Sequence, residues 1–312
     1  MDSRARSCVG NSGQRRGVTV LELIIVIGIA GVLAAIVLPA VMAARETARR
    51  TYCTANLRQL GIAIHHHHDR HRHLPSAWQL TKEDREFAYG WATQLLPEIE
   101  QDGLLQSLPP THRPGDLTTL AAAQRIVLPL LLCPSDITEP SFELVEDLDD
   151  EGDPHNGLKG LLTDKTRQAP SILIYLPTSN YVGVYGTVEA DEFDEHTGPA
   201  GVSYGDGSLI NDQSVQFADL RRGLSNTLLV GERMMATIPS TWLGVHLRGE
   251  DAGCRLAGSA ITSPNCDTCD ECEFNSRHTG GANFLWADGH VTIVSQFIDQ
   301  PLYQQSAKRN TR

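Results

Sequence analysis

From Val20 to Leu38 nearly every position is apolar or small, and only Glu22 carries a charge. Nineteen residues at helical rise span roughly 28 Å, about the thickness of a bilayer core. No second run of that length follows. The pattern then changes. Cys53, Leu57, Leu60 and Ile64 recur at spacings of four, three and four, which marks one face of an amphipathic helix. Pro39 lies between the two regions. Helix formers after it predict a kink there, not an end. Ala40, Ala44 and Ala48 share one stripe of the same helix. A helix from Val18 to about His68 would run roughly 75 Å, half of it apolar all round and half one-sided.

Beyond residue 70 the periodicity shortens. "LPSAWQL" reads as a break, "YGWATQLLPEIEQDGLLQSL" as one or two short helices, and "AAAQRIVLPLLLCPSD" as an apolar run closed by a turn. From about 171 the texture is β. "SILIY", "SNYVGVYG" and "TLLVGER" are rich in β-branched and aromatic residues. In "NFLWADGHVTIVSQF" two apolar runs flank Asp288-Gly289, the dipeptide favoured in a two-residue type I′ hairpin. The predicted fold is α+β: a long N-terminal helix packed on a mainly antiparallel β-sheet domain. Three segments follow, residues 1–17, 18–68 and 69–312.

The net charge of −12 opposes binding to nucleic acid. Residues 1–17 carry a net +3, so a chain without them would carry −15. Arginines flank both sides of the apolar run, Arg15 and Arg16 before it and Arg45, Arg49 and Arg50 after it. They leave orientation nearly balanced.

Glu22 needs a reason, because a carboxylate at the edge of hydrocarbon is costly without a partner. Gly17 separates the basic leader from the apolar run. Counting from Val18, the glutamate is fifth and Pro39 twenty-second. This arrangement resembles the class-III signal of type IV prepilins and type II secretion pseudopilins. The resemblance implies cleavage after Gly17 by a membrane prepilin peptidase and N-methylation of Val18. It implies that Glu22 pairs with the N-terminal amine of a neighbouring copy or another pilin-like subunit. It also places the leader in the bacterial cytoplasm, one helix in the inner membrane, and the rest in the periplasm or at the cell surface. Pilins usually begin with Phe at the position Val18 holds. A cleaved secretory signal is the simpler alternative, but the apolar run is long for one and no A-x-A site follows it.

A second resemblance covers nearly all of residues 18–295. "NLRQLGIAIHHHHD", "CPSD", "SNYVGVYG", "GLSNTLLVGER" and "RHTGGANFLWADGHV" occur in this order. They resemble a large bacterial family of the DUF1559 type, with a prepilin-type N-terminus and a C-terminal H-x9-DG motif. Here the motif is His278 with Asp288-Gly289. The family implies location and topology, but no reaction.

Three groups of residues invite chemistry. His278, Asp288 and His290 suit an acid-base or metal site, or simply a hydrogen-bonded turn. Cys266, Cys269 and Cys272 have the x2 spacing that lets thiolates converge on zinc, with Cys254 or His278 as a fourth ligand. The other reading is disulfides, for which six cysteines beyond the leader allow 15 pairings. Adjacent Asp267, Asp270, Glu271 and Glu273 disfavour thiolates. A Cys53–Cys133 pair would tie the helix to the domain. The tract His65, His66, His67, His68, His71 and His73 is histidine-rich enough to hold metal, although only His65, His68 and Asp69 match the family pattern. The seven acids of residues 143–153 read as a solvated loop, since the spacing of a calcium loop is missing.

No G-x-S-x-G, H-E-x-x-H or P-loop is present. The expectation is a membrane-anchored pilin-like structural protein, not an enzyme, without a required cofactor, whose partners are prepilin peptidase, further pilin-like subunits and the membrane. The alternatives are a monomeric anchored module binding glycan, peptide or metal, and an anchored hydrolase using His278.

Overall fold

The computed structural model describes residues 19–80, 87–108, 117–136, 139–146, 171–190, 205–211, 213–266 and 271–310. The chain forms two units, Met1–Ala48 and Arg49–Arg312, and the long helix α1 (Val20–His71) contributes to both.

In the first unit α1 is apolar and exposed, from Val20 through Leu38 and on to Met42. It is the one helix among the described residues long and apolar enough to cross a membrane. Thr19 and Glu22 open it with a capping box. The Thr19 N–H donates to Glu22 Oε2 (2.9 Å), and the Glu22 N–H donates to Thr19 Oγ1 (3.3 Å). Thr19 Oγ1 also donates to Glu22 Oε2 (2.9 Å). Part of the answer to Glu22 is therefore local, because the carboxylate satisfies an N–H that the helix start leaves over. The helix continues through Pro39.

In the second unit one face of α1 becomes core. Cys53, Asn56, Leu57, Leu60, Gly61, Ala63, Ile64 and His67 are buried, at the three-to-four spacing of a single helical stripe. Three sheets follow among the described residues. The first joins β1 (Trp78–Leu80), β2 (Phe87–Gly90) and β8 (Gly244–His246); the second joins β3 (Ser141–Val145), β4 (Ile172–Ser179) and β7 (Ser240–Thr241). The largest has the order β11 (Val291–Ser295), β10 (Gly281–Trp286), β6 (Leu228–Glu232), β5 (Tyr181–Gly186), β9 (Ala257–Ser259). Among the described strand pairs only β5–β9 is parallel. The chain is thus a long apolar helix followed by a mainly antiparallel domain of α+β class. The segment "YGWATQLLPEIEQDGLLQSL" enters through β2, continues in two short 3-10 turns and ends in α2 (Asp102–Ser107). Helix α3 (Leu117–Ala123) precedes the "CPSD" turn.

The five-stranded sheet is covered on both faces, which explains why β5 and β6 are buried at every position. Tyr181, Tyr185, Leu229 and Leu285 join the core that contains Leu57, Leu60 and Ile64 of α1. Val182, Val184, Leu228 and Phe284 join Tyr303 and Ala307 of α4 (Gln300–Ala307) in a second core. Asp299 caps α4 by accepting from the Leu302 N–H (3.1 Å). The β3 strand is covered on one side only and alternates accordingly, with Phe142 and Leu144 inside. Of the acidic segment 143–153, residues beyond 146 lie outside the described residues.

The β10–β11 hairpin differs from the two-residue turn expected. Leu285 pairs with Val291, the Trp286 N–H donates to His290 O (2.9 Å), and the Gly289 N–H donates to Trp286 O (2.9 Å). Only Gly289 has positive φ (89°). A type I′ turn needs two such residues, whereas one glycine after a type I turn makes a three-residue loop with a bulge. Ala287, Asp288 and Gly289 form that loop.

Candidate functional site

Most of the family-like segments named above meet in one buried polar junction of the second unit. Asn180, between β4 and β5, is its hub, because a primary amide offers two donors and an acceptor. Asn180 Oδ1 accepts from the Cys133 N–H (2.9 Å). Asn180 Nδ2 donates to Asp136 Oδ2 (2.9 Å) and to Arg233 O (3.2 Å). Asp136 also accepts from the Met235 N–H (2.8 Å) and from Arg277 Nε (2.8 Å). Asn56 of α1 donates to Leu132 O (3.0 Å) and Pro129 O (3.3 Å). The Arg233 guanidinium, buried at the end of β6, donates to the carbonyls of Cys254, Ala257, Cys272 and Glu273.

At the centre lie Glu232, His278 and the disulfide Cys53–Cys133. The side chains of His278 and Glu232 are 0% and 2% exposed, with His278 Nε2 at 3.4 Å from Glu232 Oε1. His278 Nε2 is 3.5 Å from Cys133 Sγ. Glu232 Oε2 accepts from Ser276 Oγ (2.9 Å) and from the Asn283 N–H (3.0 Å), and Oε1 accepts from Asn283 Nδ2 (3.0 Å). The His278 N–H donates to Ser276 Oγ (3.1 Å). Tyr181, whose hydroxyl donates to Cys53 O (3.4 Å), has its pKa pushed well above the ordinary value by burial and by the charge of Glu232. One ligand-type atom from each of Cys53, Cys133, Glu232 and His278 lies within 4.8 Å of the others. Joined as a disulfide, the two sulfurs offer no thiolate, so the cluster as it stands is a covalent tie beside an acid–imidazole pair.

Asp288 and Gly289 serve a different contact, at the hairpin tip. Asp288 Oδ1 accepts from the His290 N–H (3.1 Å) and bonds the His290 ring. Partial burial works against ionisation of Asp288, but hydrogen bonds from Ser225 and His290 outweigh it and hold the carboxyl below its usual range. Ala287 O lies 2.9 Å from His65 Nε2, which ties the loop to α1. A Cβ on Gly61 would stand 2.9 Å from Leu285 Cδ1, so a larger residue at this helix position would have to displace the end of the Leu285 side chain. The open groove along this junction is lined by Arg58, Ile62, His65, His66 and Asp288.

Cys272 is bonded to Cys254, and Cys266 is also in a disulfide. Neither holds a thiolate for metal, so disulfides stand where the x2 spacing allowed a zinc cluster. Cys269, like Gly17 and Val18, lies outside the described residues.

Sequence reasoning passed over Asp136, Asn180, Glu232 and the capping box. The available signal was a polar residue at the edge of each β-rich segment: Asn180 in "SNYVGVYG" and Glu232 in "TLLVGER". The sequence model of a family described as protein of unknown function (DUF1559) matches residues 42–301, most of the chain. No curated protein and no solved structure matches it.

Proposed function

The chain belongs to the DUF1559 family, and from that membership and its apolar first helix we propose that it is a membrane-anchored, pilin-like structural protein. In this reading prepilin peptidase cuts after Gly17 and methylates Val18. The subunit then acts in pilus-like or type II secretion-like assembly, by packing and not by catalysis. Helix α1 carries the proposal. Its exposed apolar part suits lipid or neighbouring helices, and its later part is the spine of the domain. His278 supports a structural role, since its ring is enclosed against Glu232 and the disulfide.

Glu22 supplies the test. A glutamine at this position can still complete the capping box, but it cannot pair with an amine by charge. Two differently tagged copies expressed in the native membrane should co-purify as wild type and lose that association as Glu22→Gln. If Glu22→Gln associates as well as wild type, charge pairing is not what assembles the protein.

A further inference from the structure

The disulfide junction holds more than a disulfide needs. Two sulfurs in bonding geometry are enough to make the tie. Here an imidazole and a carboxylate are enclosed beside them. Cys53 of α1, Cys133 of the "CPSD" turn, Glu232 at the end of β6 and His278 just before β10 come from four separate segments. One ligand-type atom from each lies within 4.8 Å of the other three, and all four residues are buried.

Two edges of this cluster can be set against a metal site. Zinc bonds are about 2.3 Å to sulfur and about 2.0–2.2 Å to nitrogen and oxygen. Set tetrahedrally, they put sulfur and nitrogen roughly 3.6 Å apart, and nitrogen and oxygen roughly 3.4 Å apart. His278 Nε2 stands 3.5 Å from Cys133 Sγ and 3.4 Å from Glu232 Oε1. The same nitrogen therefore keeps both tetrahedral distances. Two sulfurs on one zinc ion lie roughly 3.8 Å apart, farther than any disulfide allows, so only the reduced chain has room for the ion.

The surroundings also suit an ion. Ligating carboxylates are usually fixed by outer hydrogen bonds. Glu232 Oε2 is held by Ser276 Oγ and the Asn283 N–H, and Oε1 by Asn283 Nδ2. Two thiolates, one imidazole and one carboxylate make a ligand set that zinc accepts. All four positions come from the protein, which is the closed arrangement of structural sites rather than the open one of catalytic sites.

We propose that the Cys53–Cys133 bond and one zinc ion are alternative ties at this junction. When the disulfide is reduced, Cys53, Cys133, Glu232 and His278 bind Zn(II), and the ion keeps α1 fastened to the domain. A dithiol reductant supplies the two electrons. Its thiolate attacks one sulfur of the Cys53–Cys133 bond, and the mixed disulfide resolves to two protein thiols and an oxidised dithiol. Zn(II) then displaces the two thiol protons without changing its own oxidation state. The proposal does not depend on the assembly reading.

The test compares the full chain in detergent, reduced with a phosphine, with the same chain with disulfides intact. Mass spectrometry confirms that the bonds are open. Zn(II) alone is titrated against a chromophoric chelator. The reduced chain should take up an ion that the oxidised chain does not. Cys53→Ser and His278→Asn should each weaken that ion's binding by at least about tenfold, the lower end of what even second-sphere partners contribute. Cys272→Ser, in the other cysteine segment, should leave it in place. X-ray absorption at the zinc edge of the reduced wild type should find nitrogen or oxygen neighbours as well as sulfur. Equal uptake by the reduced and oxidised chains overturns the proposal. So does undiminished binding in Cys53→Ser, or a shell of sulfur alone, which would assign the ion to the segment from Cys254 to Cys272. Circular dichroism separates lost ligands from lost fold, and the two wild-type measurements stand without any variant.

Discussion

His278→Ala isolates the energetics of the buried junction. The substitution removes the ring between the Glu232 carboxylate and the Cys53–Cys133 bond, where the two side chains are 0% and 2% exposed and 3.4 Å apart. Removing one partner of a buried pair typically destabilises by about 3–5 kcal/mol. Glu232 would keep Ser276 Oγ, the Asn283 N–H and Asn283 Nδ2, so the lower end, about 3 kcal/mol, is expected. Against a total stability of about 5–15 kcal/mol, that loss is measurable without unfolding the chain. Glu232→Ala would leave two donors of Asn283 without this acceptor and should destabilise by a similar amount. The informative quantity is the coupling in the double-mutant cycle, because Glu232 and His278 share one interaction. At 3.4 Å and an effective dielectric of 20 a fully charged pair is bounded near 5 kcal/mol, while a neutral hydrogen bond contributes about 1 kcal/mol. A coupling of at least about 1 kcal/mol is therefore expected. The assay is urea unfolding of the full chain in detergent, followed by fluorescence of buried Trp78, Trp91 and Trp242. A coupling below about 0.5 kcal/mol would refute the account of His278 as Glu232's energetic partner.

Two further predictions rest on other parts of the fold. The Cys53–Cys133 bond spans 80 residues and the Cys254–Cys272 bond 18, so by loop closure alone they contribute about 4.5 and 3 kcal/mol. Replacing the first pair by alanine should lower the urea midpoint more than replacing the second, and the reverse order would show that loop entropy is not what separates them. Tyr303 is buried, its hydroxyl has no partner among the described residues, and burial with the charge of Glu273 raises its pKa well above the usual value. The unfolded chain releases this proton near pH 10 and the folded chain does not, so stability present below pH 10 declines as pH rises beyond it. Tyr303→Phe should be neutral or stabilising at pH 7 and should flatten that alkaline decline; a marked loss of stability at pH 7 would mean that the hydroxyl has a working partner.

What could be read from the sequence was what depends on near neighbours. The stripe Cys53, Leu57, Leu60 and Ile64 follows from helical spacing alone, and those residues are core in the structure. The β texture of "SNYVGVYG" and "TLLVGER" likewise follows from composition. The capping box at Thr19 and Glu22 was equally local, but it was hidden behind a more distant explanation for the same carboxylate. The hairpin loop was not settled by Asp288-Gly289, because both two- and three-residue loops accept that pair. The Trp286–His290 bond and the docking of Ala287 on His65 accompany the longer one. The junction itself was illegible for a different reason. Asp136, Asn180, Glu232 and His278 span most of the domain in sequence, and each alone looks like a turn or strand end. Only the fold shows that they share one set of hydrogen bonds.

The central claim concerns how the N-terminus is processed, and the most direct measurement is the intact mass and N-terminal sequence of the protein purified from its own membranes. The account predicts a chain that begins at Val18 and carries one added methyl group on its amine. A mature chain that still contains Arg16 and Gly17 would contradict it, and would leave Glu22 with only its capping role at the start of the helix.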